Sequence, residues 1–153
     1  MKTAVIYYSE HHGNTKKLLD AIAKAGDVTL INASNNPDTY LSVYELIGFA
    51  SGIYFSKFHD SVLQFARKNL PQGKKVFFIY TCGAKGKKYL NTIKQIAESK
   101  DSQILGDFSC PGFDSFGPFK LIGGIAKGRP NEKDMENAVS FFREICSEKN
   151  LKT

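Results

Sequence analysis

Seven residues near the start of the chain, Ser9-Glu10-His11-His12-Gly13-Asn14-Thr15, join an apolar run to a segment with helical spacing. A loop of this kind suits an anion. The first N–H groups of a helix have no partner inside it and face whatever precedes its start. Gly13 lets the backbone approach closely, Ser9 and Thr15 carry hydroxyl donors, and Asn14 carries an amide. The same residues equally suit a capped helix start with a glycine turn, and this loop alone leaves both readings open. No Lys-Ser or Lys-Thr follows the glycine, which excludes the phosphate loop of nucleotide triphosphatases, and the GxGxxG pattern is absent. His11 and His12 are neighbours, so their side chains diverge. Contact with a phosphate or with solvent is expected of them, not a shared metal.

Two further loops follow apolar runs. Ala50-Ser51-Gly52-Ile53-Tyr54-Phe55-Ser56 puts an aromatic pair beside small residues, as a flat ligand requires. Ser51, Gly52, Ile53 and Tyr54 are its candidate contacts. The chain has no tryptophan, so Tyr54 leads as the stacking residue with Phe55 second, and of the two places for Phe55 the core below the loop is the expected one. In Thr81-Cys82-Gly83-Ala84, small side chains let backbone N–H groups reach the edge of a ring. Thr81, Cys82 and Gly83 are candidates there, with Cys82 read as a pocket-lining residue in preference to a redox thiol. A Cys-x5-Arg phosphatase loop is excluded because Lys88 holds the arginine position. His59 is expected on the surface of the helix after the second loop. No residue is assigned a catalytic role.

These loops need a frame. Apolar, β-rich runs at 3–8, 28–32, 46–50, 76–81 and 103–108 are read as strands. The first, third and fourth are nearly continuous in apolar residues, as in parallel strands buried on both faces. Helical spacing links Leu18, Leu19, Ile22 and Ala23 within 15–25, and Phe58, Val62, Phe65 and Ala66 within 58–69. Leu90, Ile93, Ile96 and Ala97 mark a third helix. Met135, Ala138, Val139, Phe142, Ile145 and Cys146 mark the last, with Asn131 as its cap and Asp134 three residues on. Asn36-Pro37-Asp38 is expected to start a brief helix. Alternating strands and helices predict an α/β three-layer sandwich over 1–153 as a single domain. Its five-stranded parallel sheet takes the order 2-1-3-4-5. Ligands bind such sheets beyond the carboxyl ends of the strands at the switch point, which puts all three loops at one place.

Ser-x-x-x-Gly-Asn-Thr after a first strand resembles the phosphate loop of the flavodoxin family, and the likeness runs through nearly the whole chain. The resemblance implies a flavodoxin-like fold and a bound flavin mononucleotide (FMN). Ser9, His11, His12, Gly13, Asn14 and Thr15 would surround its phosphate. Ser51 to Tyr54 would lie on one side of the isoalloxazine ring and Thr81 to Gly83 on the other. The late stretches 112–118 (GFDSFGP) and 127–132 (KGRPNE) resemble one group of small flavodoxin-like proteins. The irregular segment 111–128 fits either an edge of the cleft or a docking surface. Two features depart from the family's usual form: the paired histidines, and a net charge of +6 where flavodoxins are acidic.

An electron carrier is the expected function, with a redox protein as partner, acidic by complementarity to the basic chain. The alternative is an FMN-dependent NAD(P)H oxidoreductase acting on a quinone or similar acceptor, with 113–119 as a wall beside the ring. A phospho-acceptor receiver needs clustered aspartates at strand ends, and Ser9-Glu10 and Ala50-Ser51 stand there instead. Scattered lysines without an aromatic-and-basic motif argue against nucleic acid. No apolar run is long enough to span a bilayer, so no membrane insertion is expected. Three widely spaced cysteines, Cys82, Cys110 and Cys146, fit free thiols in a reducing cytoplasm.

Overall fold

A computed structural model of the chain describes residues 1–10, 13–84, 86, 88–113 and 121–147. His11, His12, Lys85, Lys87 and residues 114–120 and 148–153 lie outside them.

The strands are β1 (Thr3–Tyr8), β2 (Val28–Asn32), β3 (Leu46–Tyr54), β4 (Lys57–Phe58), β5 (Lys75–Cys82) and β6 (Gln103–Pro111). The helices are α1 (Asn14–Ala25), α2 (Asp60–Asn69), α3 (Asn91–Ser99) and α4 (Glu132–Ile145). Five strands run parallel in the order β2-β1-β3-β5-β6. That is the order expected from the sequence, with β4 added as a short antiparallel partner at the end of β3.

Side chains alternate across a strand, so each central strand feeds two cores. Ala4, Ile6, Ile47, Phe49, Val76 and Phe78 face α2 and α3, while Val5, Leu46, Ala50, Phe77 and Ile79 face α1 and α4. Each fully buried large side chain contributes about 1.5–3 kcal/mol relative to exposure, which explains why these runs read as unbroken apolar stretches. Gly48 has a steric cause. It pairs with Phe77 across the sheet, and a Cβ on it would lie 2.5 Å from that ring. In β6, Gly106 at φ 156 accompanies a register shift opposite Val76 and Phe77, a bulge that turns the outer strand.

Two expected boundaries moved. Phe58 does not begin α2. It belongs to β4, opposite Ile53, and is only 1% exposed. Val62, Phe65 and Ala66 do share α2, and Phe58 fits their spacing because it is buried in the same core from β4. Residues 36–38 form loop and turn, not a helix. Asn32 draws the chain there into a local bend. Its Oδ1 accepts from Ser34 N at 3.0 Å, and its carbonyl accepts from Asn36 N. At the far end α4 opens with a capping box. Asn131 Oδ1 accepts from Asp134 N at 3.0 Å, and Asp134 Oδ2 accepts from Asn131 N at 2.9 Å.

Candidate functional site

The carboxyl ends of β1, β3 and β5 surround a cleft of about 370 Å³. Asn14 and Thr15 line it from the first loop, Gly52, Ile53 and Tyr54 from the second, and Thr81, Cys82 and Gly83 from the third. Eight of the thirteen residues singled out in the sequence therefore meet at one place. Ser51 lies beneath, fully buried. Its hydroxyl donates to Gly52 O at 2.6 Å and accepts from His59 N at 3.0 Å, which fixes the bend of the second loop. Ser9 and Gly13 flank the lining residues in the chain, and His11 and His12 are outside the described residues.

The first loop is built around the start of α1. Gly13 takes the cap position at φ 64, ψ 27, a left-handed conformation that favours glycine. A Cβ there would meet nothing within 4 Å, so the backbone stands open. The cap carries no side-chain acceptor; instead Ser9 Oγ accepts from Lys16 N at 3.1 Å. That leaves the Ser9 hydroxyl proton for another acceptor. Thr15, 1% exposed, hydrogen-bonds through Oγ1 to Thr81 Oγ1 at 2.9 Å, joining the first loop to the third.

Asn14 is committed elsewhere. Its Nδ2 donates to Phe113 O at 2.8 Å, and its side chain packs so closely on Gly112 that a Cβ there would lie 2.7 Å from Nδ2. Its Oδ1 is buried and, among the described residues, has no hydrogen-bond partner. A buried acceptor without a donor is costly, which makes it a site for a ligand hydroxyl. Gly112 N donates in turn to Cys82 O at 3.0 Å, and Phe113 N to Arg129 O at 2.9 Å. Gly112 and Phe113 also line the cleft; the rest of the wall expected at 113–119 lies outside the described residues.

The second loop and the helix cap after it each depart from the expectation. Tyr54 ends β3, and Phe55 and Ser56 form the two-residue tip of the β3–β4 hairpin at φ 51 and φ 63. Phe55 is not in the core: it is 90% exposed and lines the cleft. The hairpin tip is the cause, since it lifts the residue after Tyr54 clear of the sheet. His59 is not a surface residue of the helix face either; it caps α2, half-buried against Tyr8.

Electrostatically the cleft is mixed. Positive partial charge gathers at the start of α1. Glu10, missing from the sequence candidates although it sits inside the quoted loop, lines the cleft as a carboxylate. Burial pushes the Tyr8 phenol up to about 12, with the hydrogen bond and charge of Glu10 adding to it. Lys57 pairs with Asp60 at 3.2 Å. Burial also pushes the Cys110 thiol up to about 12. Among the described residues no group of three or more His, Cys, Asp or Glu could hold a metal, and no helix is long and apolar enough to cross a membrane.

Chemically, the arrangement offers open backbone at a helix start, buried polar atoms, aromatic side chains and a glycine-cysteine edge on one cleft. The chain is similar to solved structures that share this frame. One is a flavodoxin from the domain Archaea, 21% identical, with TM-score 0.69 and coverage of 95% of this chain and 96% of that one. Another is an NADPH-quinone reductase from P. pentosaceus, 12% identical, with TM-score 0.64 and coverage of 97% and 99%. An uncharacterized protein of Methanocaldococcus jannaschii is 37% identical over 147 residues, 95% of this chain and 98% of its own. Residues 5–109 match the flavodoxin domain family, and the chain belongs to that family.

Proposed function

We propose that the cleft binds FMN and that the protein is an electron carrier. One observation carries the reading: three loops from separate strands converge with an open helix start on a cleft of about 370 Å³, within the range of ordinary cofactor pockets. The residues fit the group part by part. Ser9, Gly13 and Thr15 at the start of α1 suit a phosphate, with His11 and His12 in the same loop. The unpartnered Oδ1 of Asn14 suits a ribityl hydroxyl. Tyr54 suits one face of the ring, and Thr81, Cys82 and Gly83 suit its polar edge.

When bound, FMN would supply one- or two-electron chemistry that no side chain here provides. The work of the chain is then to bind, to orient and to exclude water. Tyr54 and Phe113 both line the cleft and shield it from water. Glu10 places a negative charge at its rim and disfavours further negative charge on a neighbouring ligand. The net charge of +6 supports an acidic redox protein as partner, through faster encounter.

The test is an absorbance spectrum and a calorimetric FMN titration of the purified chain. Visible flavin bands and saturable binding are expected; no binding at millimolar FMN would sink the reading. Holoprotein mixed with NADH or NADPH then separates carrier from reductase. Bleaching of the flavin only when a separate reductase is added is the expected result. Rapid bleaching by the nicotinamide alone would make the protein an oxidoreductase passing hydride to a quinone or similar acceptor.

A further inference from the structure

His59 joins three elements through one side chain. It stands at the cap of α2, where its Nδ1 accepts from Ser61 N at 3.1 Å and lies 2.8 Å from Ser61 Oγ. Its backbone N–H donates to the buried Ser51 hydroxyl beneath the second loop. Its ring lies flat on Tyr8 of β1, with centroids 3.6 Å apart and planes 10° apart. Tyr54 of β3 meets both rings edge-on, at 5.0 Å from His59 and 5.7 Å from Tyr8. Of the three rings, Tyr54 is the one that lines the cleft.

We propose that His59 is a positioning residue whose neutral ring, fixed between the α2 cap and Tyr8, holds Tyr54 against the cleft and releases it on protonation. The proposal rests on reading the cleft as a flavin site. An Nδ1 that accepts from a backbone N–H carries no proton, so the neutral ring keeps its proton on Nε2. Protonation turns Nδ1 into a donor facing the Ser61 N–H, and the cap bond is lost. Every charged or titratable neighbour bears on the balance. Burial lowers the affinity of His59 for a proton, while the carboxylates of Asp60 in α2 and Glu10 after β1 raise it. Lys57 of β4 is paired with Asp60, and the phenol of Tyr8 stays neutral with its pKa near 12. Burial is the largest effect, so the folded value lies below the ordinary 6.5. The braced state is therefore complete above that pH and is lost as pH falls through the folded value.

The whole chain is titrated by NMR, first without flavin, from about pH 8 to about pH 5, the interval in which histidine changes charge. The ring signals of Tyr8 and Tyr54 are expected to move with the midpoint of His59. With FMN added, its dissociation constant is expected to rise by up to about tenfold per pH unit below that midpoint, the limit for one linked proton. Two variants separate cap from ring. H59N keeps a good helix cap but removes the ring, and is expected to weaken FMN binding at high pH and abolish the pH step. H59F keeps a ring on Tyr8 with nothing to protonate, and is expected to abolish the step. Tyrosine signals indifferent to the His59 titration overturn the proposal, as does H59N binding FMN with wild-type affinity and pH dependence. If the wild-type chain binds no FMN at any pH, the flavin reading falls, and the tyrosine signals of the flavin-free chain decide this one alone.

Discussion

Thr15 and Thr81 share a buried hydrogen bond, Oγ1 to Oγ1 at 2.9 Å, across 66 residues of chain. It ties the start of α1 to the end of β5 between two residues that line the cleft. A hydroxyl has one proton and two lone pairs, so if Thr81 donates, Thr15 keeps its proton for a ligand. Thr15→Val should cost about 1–3 kcal/mol of stability by leaving Thr81 unpaired. Thr15→Val with Thr81→Val should recover most of that loss, yet still bind FMN more weakly than wild type. Denaturant unfolding and calorimetry on both proteins measure the two effects separately. Full FMN affinity in the double variant would remove Thr15 from the phosphate site.

Gly112 is small because Asn14 occupies its neighbourhood. A Cβ there would lie 2.7 Å from Nδ2, 3.0 Å from Cγ and 3.1 Å from Cβ of Asn14. Gly112→Ala should therefore displace Asn14, break its bond to Phe113 and destabilise the fold by about 1–3 kcal/mol. Asn14→Ala opens that space. The two changes together should cost less than their sum. Thermal unfolding of the four proteins completes the cycle, and strict additivity would show that the two residues do not compete for one space.

The hairpin tip carries backbone strain at two positions. Phe55 and Ser56 both have positive φ, where side chains other than glycine and asparagine are disfavoured. Two-residue hairpins with this geometry favour Asn-Gly. Phe55→Asn with Ser56→Gly should stabilise the chain by about 1 kcal/mol, read as a higher urea midpoint. Phe55→Ala alone should leave the midpoint in place, because the side chain is 90% exposed. Tyr54→Ala should instead relieve the quenching of bound flavin fluorescence. If only Phe55→Ala relieves it, Phe55 and not Tyr54 covers the ring.

Asp134 links acidity to the last helix. Hydrogen bonds from Arg129, 2.5 Å to Oδ2 and 2.6 Å to Oδ1, hold its carboxyl below the usual carboxylate range against the opposing effect of burial. A lowered folded value means that this stability is present above the ordinary pKa of 3.8 and is lost as pH falls through the folded one. Arg129→Ala should therefore move acid unfolding to higher pH while changing little of its cooperativity. Asp134→Asn should flatten the acid limb over that range. A circular-dichroism acid titration of the three proteins checks both expectations.

What the sequence exposed, and what it hid, follows from range. Val5, Ile47, Phe49, Phe77 and Phe78 are buried because both faces of their strands are covered, and that requirement is written in consecutive residues. The three loops were legible because a parallel sheet sends them to one edge. Phe58 was misread because burial in a common core imitates helical spacing. Phe55 was misread because its exposure depends on where a hairpin tip falls, which two non-glycine residues at positive φ do not announce. His59 looked like a surface residue because the ring it stacks on, Tyr8, lies on another strand 51 residues back in the chain. Glu10 stood in plain view, but no local pattern says which side chain of a loop turns inward.

The bond from Asn14 to Phe113 O spans 99 residues, and it sets an order of events during synthesis. A ribosome emits β1, α1 and the first loop early, long before Gly112 and Phe113 emerge. Until then Asn14 has neither its anchor nor the surface that packs against it. Closing so long a span costs loop entropy that only the finished sheet offsets. A nascent chain stalled before residue 112 can therefore pair its central strands while its cleft still lacks one wall. Cofactor capture becomes a late checkpoint: pulse-labelled truncations ending before 112 should retain no flavin, and those reaching past Ile145 should.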